Sequence, residues 1–192
     1  MRRLFVLLFL ALAGQAFGWS TVVIDAGHGG HDRGGVPGQR ISEKALTLDV
    51  SLRLNAILRA KGVRTVMTRT RDIFIPLPRR VAIANSHRNA LFVSVHFNSA
   101  PREGACGYET FYFSRSSGRA AARIQTQLLR THRTENRGVK RRGFYVLRYS
   151  RNPAVLVECG FLTNRREGAL CLTAAHRQKL AEAIARGIMA SR

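Results

Sequence analysis

The chain alternates between short apolar runs and longer segments in which apolar residues recur every three or four positions. Residues 21–24 form an unbroken β-branched run, which predicts a strand buried on both faces. A glycine-rich loop over residues 26–38 separates this strand from a helix with Ser42 as its N-cap. Gly62 stands where a helix commonly ends in a left-handed residue. The apolar face of this first helix comprises Leu46, Val50, Leu54, Ile57 and Leu58.

Further elements follow in the same alternating order. Strands are predicted over residues 64–68, 90–96, 108–113, 144–147 and 154–158. Helices are predicted over residues 78–85 and 119–129, and a last helix begins near Thr173. The alternation predicts an α/β fold with a largely parallel or mixed sheet covered by helices. In such sheets, ligand sites gather at the carboxyl ends of the strands.

The N-terminal eighteen residues have the layout of a secretory signal peptide. Arg2 and Arg3 precede ten consecutive apolar residues at positions 4–13, and small residues follow. The apolar run is too short to span a bilayer, and it lacks the amphipathic pattern of a core helix, which is the competing interpretation. We predict a signal peptide over residues 1–18 and one domain over residues 19–192. The domain would be exported to the periplasm or cell envelope without a remaining membrane segment.

Charge constrains the partners of the exported domain. The chain has 32 Lys and Arg against 11 Asp and Glu, a net charge of +21. Loss of residues 1–18 removes two arginines and no acidic residue, leaving about +19. Such a surface attracts nucleic acid, anionic lipid or anionic cell-wall polymer, and export favours the envelope polymers. The basic run at 137–142 is interpreted as a solvated charged face that such a polymer could contact.

Four side chains lie where chemistry is expected, at or near the ends of predicted elements. Glu158 ends an apolar strand, where a carboxylate is costly unless it is functional or paired with an arginine. His28 follows the first strand among glycines, and His96 ends the strand over residues 90–96. Glu43 lies in the first turn of the first helix, where the helix dipole alone would favour an acid. Two imidazoles and one carboxylate make up a catalytic zinc ligand set. Because these residues are far apart in sequence, their spacing alone does not establish a zinc site, and zinc is the favoured interpretation.

Other chemistries lack their motifs. No GxxxxGK[ST] or complete GxGxxG sequence is present, so no nucleotide site is expected, and no GxSxG elbow occurs. The cysteines Cys106, Cys159 and Cys171 form no CxxC pair, so a thiolate zinc site is not expected. Their odd number allows at most one disulfide, and we expect buried thiols with no more than that one bridge.

Several segments occur together in an order typical of one family. They are residues 22–30, 42–44, 80–85, 92–98, 137–140, 144–148 and 153–164. Taken together, they resemble the zinc-dependent N-acetylmuramoyl-L-alanine amidases of the bacterial cell-separation type. The resemblance covers residues 21–190, nearly the whole predicted domain. Each segment alone has little specificity for the family, but the complete set in this order is highly specific.

The resemblance implies a fold, a reaction and a site. The fold would be a single-domain α/β sandwich whose mixed, largely parallel sheet is covered by helices on both faces. One zinc ion would be held by His28, Glu43 and His96, and Glu158 would be the catalytic glutamate. The reaction would be hydrolysis of the peptidoglycan amide that joins the lactyl group of N-acetylmuramic acid to the L-alanine of the stem peptide. Asn98, near the ligand His96, is a weaker candidate for a substrate contact.

Two other functions stay open from the residues alone. A non-catalytic basic module would bind wall polymer or nucleic acid through Arg and Lys. A zinc peptidase would use the same ligands but cut within the stem peptide. Some relatives carry a long insert that plugs the site, but only 61 residues separate His96 from Glu158 here, so we expect an open groove.

Overall fold

The computed structural model describes residues 18–101 and 104–192. The predicted signal peptide therefore lies outside the described residues, except for Gly18. The strands are β1 (Thr21–Ala26), β2 (Arg64–Met67), β3 (Ala90–Asn98), β4 (Tyr108–Tyr112), β5 (Asn136–Arg141) and β6 (Ala154–Phe161). The helices are α1 (Glu43–Ala60), α2 (Leu77–Asn85), α3 (Gly118–Leu128), α4 (Tyr145–Arg148), α5 (Arg165–Cys171) and α6 (Ala174–Met189).

All of these strands belong to one sheet, in the order β2-β1-β3-β6-β4-β5. Neighbouring strands are parallel except for β4 and β6, which are antiparallel. The expected mixed, largely parallel sheet is thus confirmed. Ala26 at the end of β1 pairs with Val95 in β3, and His96 in β3 pairs with Glu158 in β6. The register therefore brings the ends of these three strands to one edge of the sheet.

Helices cover both faces of the sheet, as expected. Because successive strand residues point to opposite faces, Val22 and Ile24 pack in one hydrophobic cluster and Val23 packs in the other. The larger cluster joins the sheet to α1, α3 and α6, and the smaller one joins it to α2 and α4. The alternation seen in β1 thus separates a thickly covered face from a thinly covered one.

The long helices form where the apolar periodicity predicts them. Ser42 is the N-cap of α1 in an extended backbone conformation, without a side-chain capping bond, and Gly62 has the left-handed φ of 73° expected after the helix. In α6, Leu180, Ile184 and Ile188 are fully buried. Each such side chain contributes about 1.5–3 kcal/mol when it leaves water.

In the segment before β6, one predicted strand was wrong and one strand was not predicted. The expected strand over residues 144–147 is the short helix α4, whose Val146 and Leu147 pack in the smaller cluster. The basic run expected as a solvated face forms most of the unpredicted strand β5, which pairs with β4 at the edge of the sheet and stays half-exposed. Charged side chains are common on edge strands because they discourage pairing with other chains. Since this segment is charged and not apolar, its sequence pattern does not predict a strand.

Two further predictions concern the cysteines and the absence of a membrane-spanning helix. Cys106, Cys159 and Cys171 are all free thiols, and the last two are buried, so the allowed disulfide does not form. Among the helices of residues 18–101 and 104–192, none combines the length and the apolar character needed to cross a bilayer.

Candidate metal centre

His28, Glu43 and His96 come together at the carboxyl edge of the sheet. His28 follows β1, Glu43 begins α1, and His96 lies near the end of β3. One potential ligand atom from each residue lies within 4.8 Å of the others. The structure thus assembles the predicted zinc ligand set from three separate elements.

Glu43 is the hub of this group. Its Oε2 lies 3.0 Å from His28 Nε2, and its Oε1 lies 2.9 Å from His96 Nδ1. The backbone N–H of Phe97 also donates to Oε1, at 2.9 Å. Burial alone would raise the pKa of Glu43, but the hydrogen bonds and charges of the two imidazoles lower it to about 2. The carboxylate is therefore ionised and available as a ligand across the physiological pH range.

His28 is oriented by a second carboxylate. Asp32 Oδ2 lies 2.8 Å from His28 Nδ1, so Nε2 is left facing Glu43. Burial lowers the pKa of His28, but Glu43 and Asp32 outweigh it and raise the pKa above the usual value. A carboxylate that holds the remote nitrogen of a metal-binding imidazole is a common supporting contact in metal sites. Sequence reasoning missed Asp32, although its position four residues after His28 was the available signal.

Two glycines leave room for the ligand side chains. A Cβ on Gly27 would collide with the His96 ring. A Cβ on Gly34 would lie 2.5 Å from Glu43 Oε2, and Gly34 also has a left-handed φ of 70°. The glycine-rich loop therefore serves close packing around the three candidate ligands.

Glu158 lies beside this group on the neighbouring strand. It pairs with His96 across β3 and β6, so the two side chains share one face of the sheet. Its Oε2 is inaccessible to solvent and has no hydrogen-bond partner among the described residues. Burial, followed by the negative charges of Glu43 and Glu109, raises the pKa of Glu158 well above its usual value. No arginine pairs with it in the described ranges, which removes the structural interpretation left open by the sequence.

A second acidic residue, Glu109, extends the row of polar side chains. It pairs with Glu158 across β4 and β6 and is itself buried. Lys140 from β5 donates to its Oε2 at 2.5 Å, and the Asn98 side-chain amide donates to its Oε1 at 2.5 Å. Asn98 therefore lies close to the site, as expected, but its side chain is engaged with Glu109. Sequence reasoning missed Glu109 and Lys140 because their pairing depends on the unexpected strand β5.

A cavity of about 440 Å³ opens beside the two histidines, between α2 and the segment around α4. Its lining is mainly apolar and includes large side chains that are partly exposed to solvent: Phe74, Leu77, Phe144 and Tyr145. Exposed apolar side chains gathered at one concave place are typical of a binding site.

Fold and site together define a class of protein. A candidate metal group, a carboxylate with a raised pKa beside it and an adjoining cavity are the parts expected of a metal-dependent hydrolase. They lie at the carboxyl edge of an α/β sheet, where such sites are expected.

Comparison with known proteins identifies the family within this class. Residues 22–190 match the family model described as N-acetylmuramoyl-L-alanine amidase. YqiI of Bacillus subtilis, described as an uncharacterized protein, is 41% identical over 182 residues, which cover 93% of this chain and 87% of YqiI. The B. subtilis N-acetylmuramoyl-L-alanine amidase LytC is 39% identical over 168 residues, which cover 85% of this chain but 34% of LytC.

A solved structure agrees with these sequence matches. The catalytic domain of CwlV, an N-acetylmuramoyl-L-alanine amidase from Bacillus (Paenibacillus) polymyxa var. colistinus, superposes with a TM-score of 0.84 at 34% identity. The match covers 88% of this chain and 96% of that domain. The chain belongs to the N-acetylmuramoyl-L-alanine amidase family, so the resemblance inferred from its motifs is confirmed. It is an enzyme of this kind, and its substrate is peptidoglycan.

Proposed function

We propose that the protein is a zinc-dependent amidase that hydrolyses the bond between the lactyl group of N-acetylmuramic acid and L-alanine. The observation that carries this proposal is the meeting of His28, Glu43 and His96 beside the unpaired Oε2 of Glu158. Family membership indicates peptidoglycan as the substrate, and these four side chains are the ones that would carry out the hydrolysis.

The three side chains fit a zinc ion. Two imidazole nitrogens and a carboxylate oxygen are ligands that zinc commonly accepts, with bonds of about 2 Å. Glu43 lies 3.0 Å from His28 Nε2 and 2.9 Å from His96 Nδ1, about the spacing of neighbouring ligands around one small ion. When bound, zinc acts as a Lewis acid that polarises a carbonyl and makes water more acidic. We propose that one ion is held by these residues.

Glu158 is the proposed proton carrier. Its buried, unpaired oxygen can accept a proton from the attacking water and deliver one to the leaving amine. Burial and the nearby carboxylates raise the pKa of Glu158, which makes it a stronger base than an exposed glutamate. The Glu109–Lys140 pair lies next to it across the sheet, and Asn98 joins this pair to the end of β3.

The cavity beside the histidines is the proposed place for part of the substrate. Phe144 and Tyr145 lie on its α4 side, and Phe74 and Leu77 lie on its α2 side. We propose an open groove without a plugging helix, with Asn98 as a residue near the bound substrate. Rigid aromatic side chains give large contact area at little cost in conformational entropy, which suits the positioning of a polymer.

The test of this proposal is digestion of purified sacculi by the protein plus zinc, followed by mass spectrometry. We expect free stem peptides and peptide-free glycan, and we expect Glu158→Gln to bind zinc but release neither product. Glu182→Gln, which changes a half-exposed glutamate in α6, is the matched control and should match the wild type. Shortened stems still attached to glycan would show a peptidase instead. Absence of cleavage by folded, zinc-loaded wild type would contradict the proposed activity.

We further propose that residues 1–18 are a signal peptide and that residues 19–192 form the exported domain. The basic surface, about +19 after loss of the signal, would hold the enzyme on anionic envelope polymers. Binding of the Glu158→Gln variant to sacculi should then fall sharply between roughly 0.01 and 0.15 M salt, as the Debye length shortens from about 30 to 8 Å. Binding that does not respond to salt would contradict an electrostatic attachment.

A further inference from the structure

Three successive peptide carbonyls lead from β1 to the candidate ligand His28, and all of them are bound by arginines. These are the carbonyl groups of Ala26, Gly27 and His28 itself, and their donors are Arg69 and Arg80. Both guanidinium groups are almost completely buried, with 2% and 3% of each residue exposed. Buried arginines are rare unless they are paired or functional, so this arrangement needs an explanation.

Arg80 is the donor that reaches His28. From α2, its Nη2 donates to the His28 carbonyl at 2.7 Å and its Nη1 donates to the Ala26 carbonyl at 2.6 Å. Nη1 also contacts Asp25 Oδ1 at 2.8 Å, while Nε donates to the Ile75 carbonyl at 2.8 Å. One planar side chain thus connects β1, the His28 loop and the segment before α2.

Arg69, which follows β2, binds the same loop. Its Nε donates to the Ala26 carbonyl at 2.9 Å, and its Nη2 donates to the carbonyls of Gly27 and Lys44, both at 2.8 Å. Since Lys44 directly follows Glu43, Arg69 ties the His28 loop to the first turn of α1. It has no carboxylate within ion-pairing distance among the described residues, and burial together with the charge of Arg80 lowers its pKa.

The loop needs such support because its backbone is unfavourable. His28 has a φ of +59°, and among the described non-glycine residues only Asn89 shares a positive φ. Side chains other than glycine disfavour this region, and surrounding contacts must hold them there. At this left-handed residue the imidazole lies between two carboxylates, with Nε2 3.0 Å from Glu43 and Nδ1 2.8 Å from Asp32.

We propose that Arg80, assisted by Arg69, is a positioning residue that holds the His28 backbone in its left-handed conformation and so preorganises the metal centre. This inference rests on the proposed zinc site. Lysine cannot replace arginine in this role, because an ammonium group is a point donor and cannot bridge three carbonyls and a carboxylate in one plane. The alternative is that the arginines only satisfy buried carbonyls, without consequence for metal binding.

The first test compares Arg80→Lys with Arg79→Lys, which changes the exposed neighbour in α2. Zinc affinity is measured by chelator competition, and ligand geometry by the visible absorption of the cobalt-substituted protein, at temperatures where circular dichroism shows both variants folded. We expect a 10- to 100-fold weaker zinc affinity and an altered cobalt spectrum for Arg80→Lys only, the usual range for loss of a supporting contact. Wild-type affinity in folded Arg80→Lys would contradict this inference alone, whereas a wild type that binds no zinc would contradict the proposed function as well.

Hydrogen exchange of the wild-type protein is a second test, and it does not depend on whether Arg80→Lys folds. Preorganisation by the arginines predicts that the amides of Gly27 and Gly29, bonded to Val95 and Asp32, exchange with deuterium equally slowly with and without zinc. Protection that arises only when zinc is added would show that the metal, and not the arginines, orders the loop. That result would overturn the inference.

Discussion

The two faces of the sheet are covered by helices to different extents. On one face, α1, α3 and α6 bury a continuous hydrophobic cluster that includes the fully buried Leu54, Ile124 and Ile184. On the other face, α2 and the four-residue α4 cover a smaller cluster and leave Phe144 and Tyr145 partly in water. The same strands supply both faces, so the difference comes from what packs on them.

The reactive side chains lie on the face of the sheet that has less helical cover. The thinly covered face carries the row of His96, Glu158 and Glu109 across three strands, and it borders the cavity. Thick coverage would bury these carboxylates without access for a substrate. We therefore expect changes on the thickly covered face to lower stability and changes on the thinly covered face to lower activity.

The largest expected effect on stability is on the thickly covered face. Ile184→Ala removes a fully buried side chain of α6, and we expect a loss of about 2–5 kcal/mol in the free energy of unfolding. Urea denaturation measures this loss, and Leu172→Ala, at a residue that is 55% exposed, should change stability by less than about 0.5 kcal/mol. Zinc stoichiometry and kcat/KM of the folded fraction should stay at wild-type values. A loss of zinc with the fold intact would break the division between the faces.

A smaller effect, on activity, is expected from the thinly covered face. Phe144→Ala removes a ring that lines the cavity and meets Phe111 edge-on, with centroids 5.0 Å apart. We expect a fall of about tenfold in kcat/KM on sacculi, equivalent to about 1.4 kcal/mol, with at most about 1.5 kcal/mol lost from stability. Leu52→Ala, an exposed apolar change in α1, is the control and should leave both quantities unchanged. Wild-type kcat/KM in Phe144→Ala would show that the cavity does not bind substrate.

Sequence reasoning succeeded where burial follows a local period. The strand at 21–24 and the helix containing Leu180 and Ile184 have apolar patterns that need no distant partner to be recognised. His28 and His96 stand out in the sequence because each lies at or just after the end of a buried strand, whereas Glu43, in the first turn of α1, is equally well explained by the helix dipole. The register of the parallel strands then brings together residues that are far apart in sequence.

It failed where tertiary contacts override local preference. The aromatic and β-branched residues at 144–147 favour a strand, yet Val146 and Leu147 pack as a helical turn against the sheet. The charges of β5 concealed a strand, and with it the pairing of Lys140 with Glu109. Arg80 begins one of the family-typical segments, but its burial and its contacts could not be predicted, because they depend on where α2 packs. Its partner Asp25 adjoins the predicted first strand, but the pairing could not be predicted because the two residues lie 55 positions apart.

The smallest expected effect lies at the rim of the thickly covered face, where α1 meets α6. Asp49 accepts hydrogen bonds from Arg53 at 2.8 Å and from Arg177 at 2.5 Å. Burial raises the pKa of Asp49, but the two arginines outweigh it and lower the pKa below the usual value of 3.8. A lowered folded-state pKa stabilises the fold above the unfolded-state pKa, and this contribution is lost as the pH falls through the folded-state value.

We therefore expect Asp49→Asn to lose up to about 1 kcal/mol of stability at pH 7, a small value because the carboxylate is one-third exposed and screened by solvent. The difference between wild type and variant should shrink below about pH 4 as Asp49 becomes protonated. Urea denaturation over a range of pH measures it, with Glu182→Gln as the control, since its 3.8 Å pair with Arg186 is half-exposed. A difference that persists unchanged into acid would mean that Asp49 supports the α1–α6 contact through packing and not through its charge.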